Sequence, residues 1–303
     1  MVQRPALPPS EKATNDAFMA VIARLTSKGF SDLLGHAEGS AYRPWDDVRW
    51  KSPPDGLSRE EWWSVLKMVR RSGRKVVPLR DSQGKNFSYA LTDRIHESLH
   101  KIDLSLGGSV GMHDVLTNPE GRDQYIVRSL VEEAVTSSLI EKAPTTRQLA
   151  RELLFSARKP TNLGELMCLN NYLALELVRK LRDAPLTPAS VLDVQRCVTQ
   201  GTLDKVDQSG RLRTAEDGSI DVGNELSGEV YHIPPPPDEL PGRLQAMCDF
   251  ANEAPRAESF LHPVIRSIIL HFWLAYDHPF CDGNGRTARA LFYWSMLRSD
   301  YWL

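Results

Sequence analysis

The sequence predicts a mainly α-helical protein whose β structure is limited to short hairpins. Along most of the 303 residues, apolar side chains recur every three to four positions, the spacing that places them on one face of a helix. Several of these stretches open with threonine or stop near proline or glycine, the residues that commonly cap and end helices. Apolar and polar residues alternate only over short segments beside polar turns, as they do in hairpin strands.

The N-terminal part is predicted to form a helical domain over residues 16–110. Residues 1–15 are rich in proline and are expected to be loose. A short hairpin is expected around Gly84, and a glycine-rich break near residues 107–122 ends the region. The predicted helices of this domain span residues 16–35, 59–73 and 93–106.

A second domain is predicted over residues 120–303. It opens with a long helix over residues 123–141, whose apolar stripe ends before Pro144. Further helices follow, and a hairpin is expected over residues 218–233. The chain stops on aromatic residues directly after an apolar helix, so the sequence is expected to be part of a longer protein.

The composition narrows the class of partners. The formal net charge is −2 with no long basic run, which does not suggest nucleic-acid binding. The four cysteines are widely spaced and form no CxxC pair, which fits a reducing compartment and argues against a zinc site. The sequence shows no signal peptide and no apolar segment long enough to cross a membrane. We therefore expect a cytoplasmic protein without a membrane partner.

Residues 278–289 read HPFCDGNGRTAR and combine several chemically active groups in one loop. A helix is expected to end near Tyr276, and His278 is expected to be extended because it precedes proline. Gly283, Asn284 and Gly285 are expected to form a turn with positive φ that leads into a second helix. Free amides at a helix N-terminus make an anion site.

The charged residues of this loop indicate phosphate chemistry. Arg286 and Arg289 lie near the helix N-terminus, where the dipole disfavours cations, so a polyphosphate between them would explain their position. Asp282 is a hard oxygen ligand suited to a partly hydrated Mg²⁺ that bridges phosphates. His278 is the group in the loop that can take a proton near neutral pH. We expect a hydroxyl to lose its proton to His278 and to attack a phosphorus.

Nine of these twelve residues match the pattern HPFxDGNGRxxR, so the chain resembles the Fic family of nucleotidyl transferases. The resemblance implies a Fic helical bundle core and transfer of AMP from Mg-ATP to a Tyr, Thr or Ser hydroxyl of a target protein or of the chain itself. It further implies that Gly283 and Asn284 hold the α-phosphate, with Gly285 in the same nucleotide-binding turn. Arg286 would hold the inner phosphates and Arg289 the γ-phosphate.

The resemblance extends to the end of the 123–141 helix, where Ser137 and Glu141 fit the family's inhibitory pattern of Ser or Thr, three residues, then Glu. In such members the glutamate pairs with the second arginine of the loop, here Arg289, and the chain inhibits itself. Lys142 follows the glutamate where the family usually has Gly or Asn. That position often needs a left-handed conformation, which lysine adopts poorly.

The resemblance also assigns the 218–233 hairpin to the family's flap, which holds a target segment by strand addition opposite His278. Other functions remain open at this point. Glu141 is also suited to position a water that removes AMP, and the chain is alternatively a nucleotide-sensing interaction protein. UMP or a phosphorylated head group is an alternative to AMP, since the motif specifies phosphate handling and not the base. A homodimer is a further possible arrangement.

Overall fold

The computed structural model describes residues 6–24, 43–54, 56–106, 119–224, 228–253 and 260–301. The chain divides into two compact units, one over residues 1–101 and one over residues 102–303. Both are built mainly from helices, and each contains one two-stranded antiparallel sheet. The predicted mainly α-helical class is confirmed.

Within the described residues, the first unit contains three helices and a hairpin, and a further helix runs from it into the second unit. Its helices are α1 (Glu11–Arg24), α2 (Trp45–Val48) and α3 (Arg59–Ser72), its strands are β1 (Lys75–Arg80) and β2 (Asn86–Tyr89), and helix α4 (Asp93–Leu106) follows them. Helices α1 and α3 pack together around Val21 and Val65. Trp62 and Trp63 are buried beside Val48, so this tryptophan pair packs in a core.

Helix α1 begins earlier than the sequence analysis predicted. Residues 11–15, expected to be loose, form its first turn. The Ser10 hydroxyl accepts from the Ala13 amide at 3.2 Å, and the Ser10 carbonyl accepts from Thr14 at 2.9 Å. Ser10 therefore acts as the N-cap that the proline-rich composition concealed. The predicted second half of this helix lies outside the described residues.

In the part of the second unit that the structure describes, seven α-helices and a hairpin follow the end of helix α4. Its helices are α5 (Pro119–Ile140), α6 (Arg147–Ser156), α7 (Leu163–Lys180), α8 (Pro188–Thr199), α9 (Leu240–Asn252), α10 (Pro263–Asp277) and α11 (Asn284–Arg298), and its strands are β3 (Val222–Asn224) and β4 (Glu229–His232). Helix α9 was missed by the sequence analysis. It starts with Pro241 in its first turn, a position where proline is favoured because its missing amide hydrogen is not needed there.

Helices α10 and α11 form an antiparallel pair at the centre of the second unit. Their buried side chains include Leu270, Trp273, Leu291 and Trp294. Helix α7 packs against α11 and also against α5 and α8, while α9 packs against α10. The loop between α10 and α11 therefore lies where several helices meet, and the end of α5 comes close to the start of α11.

The two units divide between Lys101 and Ile102, earlier than the boundary that the sequence analysis placed near residues 107–122. The reason is the last turn of helix α4. Asp103 accepts from the Tyr301 hydroxyl at 2.5 Å and lies 3.1 Å from His262 Nε2. These contacts tie the last turn of α4 to the second unit. No helix within the described ranges is long and apolar enough to cross a membrane.

Candidate active site

The loop between helices α10 and α11 begins with His278 in a left-handed conformation, with φ 44° and ψ 57°. The prediction that His278 is extended is therefore wrong. Its amide donates to the Leu274 carbonyl at 2.9 Å, and this hydrogen bond closes the helix at its C-cap. Pro279 disfavours the right-handed helical region for His278, but here the capping bond selects the left-handed region and not the extended one. Helix α10 ends at Asp277, one residue beyond the predicted Tyr276.

Two carbonyls of this loop are held by one buried arginine. Arg213 Nε donates to His278 O at 2.8 Å, and the Arg213 amide donates to Pro279 O at 2.9 Å. Its terminal nitrogen also donates to the carbonyl of Pro235, just beyond strand β4. Arg213 belongs to the segment GRLRT, to which the sequence analysis gave no catalytic role.

The turn into helix α11 requires glycine at position 283 for two reasons. Gly283 has φ 82°, and a Cβ atom there would lie 2.7 Å from Thr199 Cγ2. The predicted positive φ at Asn284 and Gly285 is wrong, because both residues are already helical. The Asn284 side chain accepts from the Phe280 amide at 3.0 Å and donates to the Phe280 carbonyl at 2.8 Å. It closes the loop from within.

The first turn of helix α11 offers backbone amides that no side chain caps. First-turn amides have no acceptor inside their own helix, and the helix dipole adds positive potential there. The amides of residues 284–286 are therefore suited to bind an anion, and this helix N-terminus is called the candidate anion site below. Since the Asn284 side chain is committed to Phe280, what Asn284 can offer to an anion is its backbone amide.

Arg286 lies at the edge of this candidate anion site and pairs with Asp282. Arg286 Nη2 donates to Asp282 Oδ2 at 2.8 Å, and Nη1 donates to the Val198 carbonyl at 2.9 Å. Arg286 is buried, and its Nε has no acceptor among the residues that the structure describes. A buried guanidinium with a spare donor beside free amides is well suited to a phosphate.

Arg289 points instead toward the end of helix α5. Its Nη2 donates to Glu141 Oε1 at 2.6 Å, and its Nε donates to Ser137 Oγ at 2.7 Å. The Arg289 and Glu141 side chains are 17% and 32% exposed, so solvent screens their attraction only in part. Ser137 and Glu141 are thus both in contact with Arg289.

Gly285 leaves the room that the Glu141 carboxylate occupies. A Cβ atom at position 285 would collide with Glu141 Oε1 and lie 3.2 Å from Arg289 Nη1. The carboxylate therefore lies against the first turn of helix α11, beside the candidate anion site. An anion bound at this turn and the Glu141 carboxylate would repel each other and compete for Arg289.

The end of helix α5 is fixed in two ways. Asn171 of helix α7 donates to Ser138 Oγ at 2.7 Å, and Ser138 donates to the Ala134 carbonyl. The Lys142 amide donates to Leu139 O and the Ala143 amide to Ser138 O, both at 3.0 Å. This pair of bonds is a Schellman motif with Lys142 at its left-handed position, φ 58°.

We expect Lys142→Gly to stabilise the protein, because glycine adopts this left-handed conformation without the steric cost that lysine has. The net gain should be about 0.5–1 kcal/mol in the free energy of unfolding, since glycine also loses more chain entropy. Thermal unfolding should show a rise in Tm of about 1–3 °C. Lys142→Ala is the matched control, because it removes the exposed side chain but keeps the strain. An equal rise in both variants would contradict a backbone cause.

The surroundings of His278 favour its neutral form. Burial lowers the pKa of the His278 imidazole, and the charges of Arg213 and His232 lower it further. The backbone carbonyl of Ala275 and the carboxylate of Asp282 act in the opposite direction. A neutral imidazole at physiological pH is able to accept a proton.

The hairpin of strands β3 and β4 adjoins the same end of helix α10. His232 Nε2 lies 2.6 Å from the Tyr276 carbonyl, and the His232 ring lies 4.4 Å from the Tyr276 ring. Strands β3 and β4 pair antiparallel, within the predicted range 218–233. Val230 and Tyr231 of strand β4 are exposed, so this strand has side chains available to a further segment.

The donor set fits a magnesium ion only if phosphates supply further ligands. Asp282 is half exposed, and its carboxylate accepts from Gly283 and Arg286. Within the described part of the chain, no group of three or more His, Cys, Asp or Glu side chains is placed to hold a metal. Mg²⁺ often binds through one carboxylate, substrate phosphates and water, so this lone carboxylate is compatible with an ion that arrives with a nucleotide.

Two further supporting residues were missed by the sequence analysis. Gln195 of helix α8 donates to the Asp282 carbonyl at 3.1 Å and accepts from the Gly210 amide. Asp277 is buried and accepts from Trp273 Nε1 at 3.0 Å and Arg243 Nε at 3.1 Å, and burial raises the pKa of its carboxyl to about 6. Asp277 directly precedes the motif. Its burial could have marked it as a supporting residue, but burial cannot be read from the sequence.

Comparisons with known sequences agree with this geometry. Residues 185–296 match the model of the Fic/DOC family. The chain is similar to proteins named protein adenylyltransferase Fic, with 31% identity over 103 residues for Nematostella vectensis and 33% over 130 residues for Drosophila willistoni. These matches cover 33% and 43% of this chain, but only 24% and 23% of the relatives. The chain thus matches about a quarter of the length of these relatives.

Solved structures show the same fold. A Fic domain containing signaling protein from Bacteroides thetaiotaomicron matches with a TM-score of 0.54 at 23% identity, over 67% of this chain and 72% of the other. Fic-1 from C. elegans (residues 134–508) matches with a TM-score of 0.52 at 17% identity, over 96% of this chain and 79% of the other. These TM-scores support the fold. The sequence identities are too low to say anything about the chemistry, which has to be argued from the site residues themselves.

Proposed function

Because this chain is a Fic-family protein, with its Fic/DOC domain over residues 185–296, we propose that it transfers AMP from ATP to a protein hydroxyl and that Glu141 restrains this activity. The observation that carries the proposal is the grouping of a partly buried histidine, an uncapped helix N-terminus and two arginines around one loop. The relatives named protein adenylyltransferase support the reaction class. The hydroxyl belongs to a Tyr, Thr or Ser of a target protein or of the chain itself.

The reaction balances as a single substitution at phosphorus. The target hydroxyl transfers its proton to His278, and its oxygen bonds to the α-phosphorus of ATP. The bond from that phosphorus to the bridging oxygen of the β-phosphate breaks, so AMP remains on the target and pyrophosphate leaves. His278 is suited to the proton transfer because its environment keeps the imidazole neutral.

The phosphates are assigned to the groups that can hold them. The amides of Asn284 and Gly285 would face the α-phosphate, where charge builds up during attack, and Gly283 would supply the turn that presents them. Arg286, with its spare buried donor, would hold the inner phosphates, and Arg289 the γ-phosphate. Asp282 would hold a Mg²⁺, which when bound neutralises charge on the phosphate oxygens.

Restraint by Glu141 follows from the sharing of Arg289. In this structure the Arg289 guanidinium is committed to Glu141 and Ser137, so it is not free to hold a γ-phosphate. The Glu141 carboxylate also lies against Gly285, where an incoming triphosphate would meet its negative charge. A triphosphate is therefore expected to bind with its α-phosphorus displaced from the line of attack.

Transfer from α-labelled and γ-labelled ATP, compared in the Glu141→Gly variant, tests the proposal. The proposal expects α-label on protein, no γ-label, and pyrophosphate released in equal amount. Transfer of γ-label would indicate a phosphotransferase instead. If neither label transfers and an adenylylated protein loses AMP only when Glu141 is present, the chain removes AMP. Label from UTP, but not ATP, would indicate another nucleotide donor.

The rate of transfer is expected to depend on pH through His278. The pKa of His278 lies below the ordinary histidine value, and the base must be unprotonated to act. The rate should therefore be constant around pH 7 and fall as the pH drops through this lowered pKa. The measurement is kcat/KM for the Glu141→Gly variant against pH. A rate that still rises steeply above pH 7 would contradict a neutral His278 as the base.

A further inference from the structure

The left-handed conformation of His278 needs an explanation. A non-glycine residue in this region costs about 1–2 kcal/mol, and such strain persists where surrounding contacts hold it. The neighbouring contacts point to one residue. Arg213 donates to His278 O from its side chain and to Pro279 O from its backbone amide. It therefore binds two consecutive carbonyls at the point where the chain turns at His278.

The same guanidinium reaches the base of the hairpin. Its terminal nitrogen donates to the carbonyl of Pro235, which is buried three residues after strand β4. His232 at the end of that strand lies 2.6 Å from Tyr276 O. The hairpin base is therefore joined to the chain on either side of Asp277, once through His232 and once through Arg213.

Burying a guanidinium for these contacts is costly. Arg213 is 5% exposed, and the described residues include no carboxylate in an ion pair with it. Burial accordingly lowers the pKa of the Arg213 guanidinium. A neutral donor would cost less to bury, so the retained charge, together with the two-armed geometry that only arginine supplies, suggests a role beyond packing.

We infer that Arg213 is the positioning residue of the active site: it fixes His278 in its bend and ties the hairpin base to it, so that a hydroxyl held by the hairpin meets the base at a constant distance. This inference rests on the proposed function. Loss of Arg213 should therefore slow proton transfer to His278 and leave nucleotide binding intact. Arg213 makes no hydrogen bond with the first-turn amides of helix α11, Arg286 or Arg289.

Three substitutions in the Glu141→Gly background separate this role from a merely structural one. Arg213→Met removes charge and donors, Arg213→Gln keeps a neutral donor, and Arg213→Lys keeps the charge. We expect kcat to fall about 10- to 100-fold in Arg213→Met, the loss typical of a misplaced catalytic group. The KM for ATP should change less than about twofold, because the residues that would bind the phosphates are unchanged. Arg213→Lys should recover part of kcat.

The pH profile supplies a second readout. The charged and titratable groups that act on His278 are Arg213 from the preceding loop, His232 from the hairpin and Asp282 from its own loop. Removing the Arg213 charge should raise the His278 pKa. The fall in rate at low pH should therefore begin at a higher pH in the Met and Gln variants, and at nearly the parent pH in the Lys variant. Arg211→Met, whose partners are Asp207 and Asp217, is the matched control and should leave this pH unchanged.

An unchanged kcat in Arg213→Met, or equal losses in kcat and ATP binding across all three variants, would overturn the inference. If Arg213→Met does not fold, the Gln and Lys variants decide by the same criteria. If the Glu141→Gly parent itself transfers no AMP, the proposed function fails. The inference is then tested by NMR titration of the His278 ring signals. There the Gln variant should titrate at higher pH than the Lys variant, and identical titrations would overturn the inference.

Discussion

In an otherwise active Glu141→Gly protein, His278→Ala is expected to lower the rate of AMP transfer by about 10²- to 10⁴-fold, the contribution typical of a positioned general base. The reason is that a neutral hydroxyl attacks phosphorus slowly, and His278 is a partly buried base whose lowered pKa leaves the imidazole unprotonated near pH 7. Binding of ATP should persist, because the amides of helix α11 and both arginines are untouched. The measurement is the initial rate of label transfer from α-labelled ATP, with the ATP affinity determined in parallel.

His100→Ala is the matched control for this substitution. His100 is an exposed residue of helix α4, so its loss should change neither rate nor affinity. A His278→Ala variant that keeps more than about a tenth of the parent rate would contradict a general-base role for His278, since that loss is smaller than base removal produces. Parallel losses of rate and ATP affinity would indicate a collapsed loop.

Glu141→Gly is expected to raise the rate of AMP transfer by roughly 10- to 150-fold. This range follows from about 1.5–3 kcal/mol for a hydrogen bond to a charged group, where about 1.4 kcal/mol corresponds to a factor of ten. Removing the carboxylate frees Arg289 and the space beside Gly285 for the γ-phosphate. The measurement is again label transfer from α-labelled ATP, with wild type and variant at equal concentration.

Two glutamine variants distinguish charge from space in this prediction. Glu141→Gln keeps the size of the side chain without its charge, so its rate should fall between those of wild type and Glu141→Gly. Glu132→Gln removes a carboxylate from the same helix, but Glu132 pairs with Arg147 and Arg151 and not with Arg289, so no activation is expected. Equal rates in wild type and Glu141→Gly would show that Glu141 is not a restraint.

The parts of the molecule that follow from local sequence were predicted best. The long helix ending at Ile140, the threonine caps at Thr146 and Thr187, and the hairpins depend on neighbours a few residues apart. The pairing of Glu141 with Arg289 was expected only from the family resemblance, and in the structure Arg289 contacts Ser137 as well as Glu141. Glu141 and Arg289 are about 150 residues apart along the chain, and a contact across that distance cannot be predicted from hydrophobic periodicity.

The errors in the predictions come from side-chain and backbone contacts that the sequence patterns do not show. His278 adopts a left-handed conformation that its proline neighbour does not favour over an extended one, because Leu274 caps it and Arg213 holds its carbonyl. Asn284 is a polar residue in a glycine-rich stretch, where a turn is the ordinary expectation, but its side chain bonds across the loop to Phe280. Burial raises the pKa of the Asp277 carboxyl, although the contacts with Arg243 and Trp273 lower it, and burial of this kind is decided by the fold.

The central claim is that this loop joins an adenylyl group to a protein hydroxyl, and mass spectrometry of the acceptor tests it most directly. The Glu141→Gly variant would be incubated with Mg-ATP and a cell lysate, and modified peptides would be sequenced to the residue. The account predicts AMP linked through phosphorus to a Tyr, Thr or Ser oxygen, absent when His278→Ala is added. A phosphoryl group in place of AMP, or AMP that still appears with His278→Ala, would contradict it.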